Sequence, residues 1–264
     1  MQLIRVRLIN SMGKTNGCEN APVEVVKALR EIWSNEKGNE INVEDLSLEE
    51  IHVDLNNLEE ANYLIFKNAK EIFEKHDKAF FIGGDHSISY SIGKAFEKVE
   101  ENGLLVIFDA HADCIESGKE PTHEEWLRGL VEGGFPGNKV ILISARNFHH
   151  TELEFIKQKG ITLISMGVLQ EDLQGVCDLV MERARGASGF YLSIDIDAVD
   201  PAHAPGTGYL EPGGMSSRDL IYFVKRLSLL DNFRGADVVE INPEKDINRM
   251  TVKLGAKLLA EMIS

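Results

Sequence analysis

Six side chains in three short segments are suited to hold divalent cations. His86 lies in Gly83-Gly84-Asp85-His86-Ser87. Asp109, His111 and Asp113 alternate in Asp109-Ala110-His111-Ala112-Asp113. Asp195 and Asp197 alternate in Ser193-Ile194-Asp195-Ile196-Asp197-Ala198-Val199-Asp200-Pro201. Carboxylates this concentrated at the end of an apolar run are costly in a low-dielectric place unless cations neutralise them. Mixed imidazole and carboxylate donors suit Mn²⁺, whereas zinc more often recruits cysteine or further histidines. The four aspartates are balanced in charge by two divalent ions. A hydroxide bridging such ions has its pKa brought down to about 7.

The elements that must position these groups are legible as alternation. Strand-like runs are expected at Leu3–Ile9, Ile51–Asp54, Ala79–Ile82, Leu104–Asp109, Val140–Ser144, Thr162–Ser165, Phe190–Asp195 and Ala236–Ile241. Amphipathic patterns predict helices over Val23–Trp33, Leu58–Lys75, Ser89–Glu100, Glu124–Glu132, Ser217–Leu229 and Met250–Ile263. Alternating strands and helices imply a parallel sheet covered on both faces, which accounts for the continuously apolar strands. Ligands of such sheets bind beyond the carboxyl ends of the strands, where the acidic segments fall. No repeat or long linker divides the chain, so 1–264 reads as a single domain.

Bulk properties narrow the partners. The net charge of −15 argues against nucleic-acid backbones and anionic membranes and is compatible with a small cationic substrate. Cys18, Cys114 and Cys177 are sparse and unpaired in spacing, as in a reducing, cytoplasmic compartment. Arg5 and Arg7 interrupt the first apolar run, which reads as a strand and not as a signal peptide. No apolar stretch approaches the roughly 20 residues of a membrane span.

The three segments, with Ala204-Pro205-Gly206-Thr207-Gly208, Glu211-Pro212-Gly213-Gly214 and Val239-Glu240-Ile241-Asn242-Pro243, resemble the signatures of the ureohydrolase superfamily of arginases and agmatinases. The resemblance runs from about residue 15 to the C-terminus. It implies a three-layer α/β/α fold with a mostly parallel eight-stranded sheet, two Mn²⁺ per chain and a homotrimer or homohexamer. It also implies hydrolysis of a guanidino or related amidine C–N bond, with urea released in most members. By the same resemblance His86 and Asp113 hold one manganese, His111 and Asp197 the other, and Asp109 and Asp195 bridge them. Glu240 matches the acid that contacts the guanidinium, and Thr207 stands in the substrate-binding stretch. His123 is placed like the histidine that shuttles a proton to the leaving amine.

The substrate's distal end is less determined. The Pro205–Gly214 stretch is closer to agmatinases, although Tyr209-Leu210 replaces their usual Thr-Pro; Asn16–Pro22 is closer to arginases. Within the loop Cys114–Thr122, Glu116 or Glu120 suits a distal ammonium and Lys119 a distal carboxylate. The reading is therefore agmatinase-like. Arginase, or hydrolysis of another guanidino acid or of formimidoylglutamate, is the alternative. A catalytically silent metal-bound scaffold and a one-zinc, deacetylase-like amide hydrolase are the rivals from other classes. Cys114, Asp200 and His203 read as packing, turn and solvated positions.

Overall fold

A computed structural model describes residues 1–11 and 13–263. The alternation becomes one sheet of β1 (Gln2–Val6), β2 (Ser47–Ile51), β3 (Ala79–Ile82), β4 (Leu104–Phe108), β5 (Val140–Ala145), β6 (Thr162–Ser165), β7 (Phe190–Asp195) and β8 (Phe233–Val239). The strand order is β2-β1-β3-β8-β7-β4-β5-β6, and every pairing is parallel. Every residue of β3, β4, β5 and β7 is buried, as a sheet covered on both faces requires.

Helices cover both faces. Phe80, Val106, Ile194 and Val238 point to one face, against α1 (Ala21–Leu29), α7 (Leu173–Arg185), α8 (Ser217–Leu227) and α9 (Met250–Met262). Phe81, Ile107, Leu142 and Tyr191 point to the other, against α2 (Leu58–Lys75), α3 (Ile88–Val99), α4 (Trp126–Glu132) and α5 (His150–Lys159). The short α6 (Met166–Glu171) sends Leu169 into the first of these cores. Burying each such phenylalanine contributes about 2–3 kcal/mol, so the two cores supply the rigidity the strand ends need.

Most expected elements lie within a few residues of their place, and the displaced ones have local causes. β2 was expected at Ile51–Asp54 but occupies Ser47–Ile51. As an edge strand it tolerates charge, and Glu50 pairs with Arg5 of β1 at 2.8 Å. β8 was expected to reach Ile241 but stops at Val239, because Glu240 turns to a positive φ of 63°. α5, α6 and α7 were not anticipated; α5 has a weak apolar periodicity and α6 is a helix of 6 residues. Among the described residues no helix is long and apolar enough to cross a membrane.

Candidate metal centre and substrate cleft

The centre lies beyond the carboxyl ends of β3, β4, β7 and β8, in the middle of the sheet. After β3 the chain turns tightly through Gly83-Gly84. A Cβ on Gly84 would lie 2.0 Å from the carbonyl oxygen of Leu8, so only glycine passes. Fully buried Asp85 then fastens this turn to the N-terminal loop. It accepts hydrogen bonds from Asn10 N (2.6 Å), Thr15 Oγ1 (2.8 Å) and Ser87 Oγ (2.5 Å). The turn thereby presents His86 to the acids from β4 and β7.

The six expected groups converge. His86 Nδ1 lies 3.0 Å from Asp109 Oδ2, 3.1 Å from Asp113 Oδ2 and 3.3 Å from Asp195 Oδ2. His111 Nδ1 lies 3.0 Å from Asp197 Oδ2 and 3.6 Å from Asp109 Oδ1. Asp109 thus turns one oxygen towards each histidine. Two triads, His86–Asp109–Asp195 and Asp109–His111–Asp197, each bring their donor atoms within 4.8 Å of one another.

The residues around the centre test whether cations fit. Ser193 Oγ donates to Asp237 Oδ1 at 2.7 Å and lies 3.0 Å from His86 Nε2. With its proton directed to Asp237, the Ser193 hydroxyl accepts from Nε2–H. In that tautomer the fully buried Nδ1 of His86 turns a lone pair to three carboxylates. With no cation between them, burial opposes a charge on the ring, but Asp109, Asp113 and Asp195 outweigh it and raise the imidazole well above its ordinary range. Glu211 Oε1 fixes His111 the same way, 3.2 Å from its Nε2. Lone pairs and carboxylates converging on one point repel unless a cation sits between them, and the outer acids set the tautomer a metal needs. Burial, reinforced by Asp109, pushes Asp113 up to about 7. Burial and then Asp197 raise Asp195 well above the carboxylate range. A divalent cation reverses both penalties. The donor set fits two such ions.

Trp126 from α4 donates Nε1–H to Asp113 Oδ2 at 2.8 Å and packs its ring 4.6 Å from that of His86. Arg146 donates to the carbonyls of Asp197 (2.7 Å) and Glu211 (2.6 Å), tying the two acidic segments together. Trp126, Arg146 and Asp237 escape a reading of motifs, and Glu211, although it opens the Glu211-Pro212-Gly213-Gly214 motif, was given no role there. Only Asp237, a carboxylate inside an apolar strand, carries a signal that sequence reasoning can use.

Above the centre opens a cleft of about 230 Å³. Glu240, only 3 % exposed, lines it with Oε2 lacking a hydrogen-bond partner. Its Oε1 lies 3.2 Å from His123 Nδ1 and accepts from His86 N at 3.0 Å. Burial opposes the charge on His123, but the Glu240 carboxylate outweighs it and holds the imidazole up at about 9. The chain belongs to the arginase family. The family model matches residues 5–264. The chain is 33 % identical over 205 residues to arginase 1, mitochondrial, of Arabidopsis thaliana; the match covers 75 % of this chain and 58 % of that protein. It is 32 % identical over 203 residues to the agmatinase of Bacillus subtilis strain 168, over 76 % of this chain and 68 % of that one. In fold it is similar to the formimidoylglutamase of Bacillus subtilis, with a TM-score of 0.91 and 24 % identity, over 99 % of this chain and 85 % of the other.

Within this arginase-family site some expected residues lie elsewhere. Lys119 and Glu120 of the Cys114–Thr122 loop fold back on α2, while Ile115 of the same loop lines the cleft. Lys119 pairs with Glu59 at 2.8 Å, and Glu120 Oε2 accepts from Asn62 at 2.6 Å. Glu116 is exposed and outside the cleft wall. None of the three therefore meets a ligand's distal end there. Thr207 is buried with an unpartnered hydroxyl and does not line the cleft. The wall is instead built from Ile115, Glu124, Phe148, His149, Glu152 and Tyr209. His203 is exposed and opens on a separate hollow beside Asp200. Asp200 organises the turn, accepting from Ala202, Gly213 and Gly214. Cys114 packs in the core.

Proposed function

We propose that this chain is a binuclear-manganese hydrolase of agmatinase type, cleaving a C–N bond of a linear guanidino compound and releasing urea. The observation that carries this reading is Glu240. Its Oε2 is buried and unpartnered, and Glu240 itself lines a cleft whose described wall contains no lysine or arginine. A guanidinium offers that oxygen a charge-assisted N–H donor. A substrate carboxylate finds no cationic partner there except histidine.

Two manganese ions, if bound there, would supply Lewis acidity that lowers the pKa of water and stabilises developing negative charge. His86 and Asp113 would hold one ion and His111 and Asp197 the other, with Asp109 and Asp195 serving both. Glu240 holds the guanidinium and aims its carbon at the acids of β4 and β7. His123, protonated near neutral pH by virtue of Glu240, gives its proton to the departing amine. The same reading places the protein in the cytoplasm as a homotrimer or homohexamer.

The test is a urea-, ammonia- and formamide-release screen of manganese-loaded protein over agmatine, arginine, ω-guanidino acids and formimidoylglutamate. Urea from agmatine above the others is expected. Preference for arginine or formimidoylglutamate reassigns the substrate, and no product from any compound leaves the scaffold reading.

A further inference from the structure

Tyr209 occupies a position that neither the metals nor the proton transfer account for. Its ring lies 5.8 Å from that of His123 in a stacked arrangement and 5.5 Å from that of His111, edge to face. Its hydroxyl donates to Glu124 Oε1 at 2.8 Å. Tyr209 comes from the loop after β7 and Glu124 from the loop before α4, so the bond closes a bridge between two separate segments.

This bridge has space on both sides. One side is the cleft. On the other is a second hollow of about 300 Å³, which shares His123, Glu124 and Tyr209 with the cleft and adds Ser11, Lys14 and Thr122. The two sides differ in charge. On the cleft side Glu152 is already engaged, accepting from Cys114 N at 2.9 Å and His149 N at 2.7 Å. On the far side Lys14 is exposed and is the lysine of the lining.

We propose that Tyr209 and Glu124 form a partition that determines specificity, ending the substrate pocket short of Lys14 and thereby excluding guanidino compounds with a long chain and a terminal carboxylate. The inference rests on the guanidino-hydrolase reading above and deepens it. The Tyr209 ring fills the space into which a longer chain would run, and the hydroxyl anchor on Glu124 fixes the ring there. With the partition removed, the two hollows join and Lys14 becomes an ion-pair partner for a carboxylate at the chain's far end.

The experiment compares kcat/KM for agmatine and for 6-guanidinohexanoate in the manganese-loaded protein, with binding of both followed by calorimetry. Tyr209→Gly and Glu124→Ala should each shift the ratio towards the guanidino acid by roughly 10-fold or more, the scale on which a pocket wall discriminates. Glu124→Gln keeps an acceptor for the tyrosine and should leave the ratio within about 2-fold of wild type. Adding Lys14→Ala to Tyr209→Gly should cancel the gain. If both substrates lose kcat/KM by the same factor in both opening variants, Tyr209 only supports the His123 ring and the partition is refuted. Glu124→Ala carries the test should Tyr209→Gly fail to fold. A wild-type protein that binds neither guanidine overturns the functional reading, and the partition with it, through a different observation.

Discussion

Nδ1 of His123 lies 3.2 Å from Oε1 of Glu240, although the two residues enter the site from different loops. On the proposed function, the contact links the group that would hold a guanidinium to the group that would protonate its leaving amine. Replacing His123 with asparagine should therefore lower kcat by roughly 10²–10⁴-fold, the range for loss of a general acid. KM should change little, because the loss is confined to the transition state. Glu240→Gln should raise KM as well as lower kcat. Steady-state urea release separates the two patterns, and a wild-type kcat in His123→Asn would remove His123 from the chemistry.

The same pair sets a pH dependence. His123 is held at about 9 in the folded chain, against about 6.5 for an unperturbed histidine. A raised pKa means that the pair's stabilisation is complete below about pH 6.5 and disappears as pH rises through about 9. The melting-temperature gap between wild type and His123→Asn should accordingly shrink over that window. A gap that widens with pH contradicts the assignment.

Metal content follows from the convergence of acids. Two divalent ions per chain are expected by elemental analysis, and Asp195→Ala should lose at least one together with all activity. Trp126→Phe keeps the ring beside His86 but removes the donor to Asp113. It should weaken one ion by roughly 10–100-fold, the usual effect of an outer hydrogen bond on metal affinity. Equal affinity of both ions in that variant would show that the tryptophan only packs.

Asp85 is a structural counterpart to these ligands. Its replacement by asparagine leaves the shape but loses the charge that serves Asn10 N, Thr15 Oγ1 and Ser87 Oγ. Denaturant unfolding should show a loss of about 2–4 kcal/mol, since hydrogen bonds to a buried charged group are worth more than neutral ones. A loss below about 0.5 kcal/mol would mean that the N-terminal loop holds without it.

What a sequence reader sees of such a protein depends on range. The candidate donors were legible because five of them alternate in short motifs at strand ends and the sixth, His86, follows a Gly-Gly turn directly after a strand, so local order encodes spatial convergence. The sheet was legible because fully covered strands are apolar throughout. Tyr209, Trp126, Glu211 and Asp237 were not, since their roles arise from contacts between segments distant in the chain. The direction of the Cys114–Thr122 loop was also hidden. Its charged residues suit either the cleft or the flank of α2, and only the partners Glu59 and Asn62 decide between them.

Asp113 and Glu240 both adopt left-handed backbone conformations, with φ of 50° and 63°. Each such residue costs about 1–2 kcal/mol relative to ordinary backbone. Natural selection for heat resistance alone would place glycine or asparagine at both positions, and the resulting protein would be hardier and inert. Directed evolution that screens only for survival at high temperature should drift towards those substitutions first, so a library built on this scaffold must select for turnover at every round.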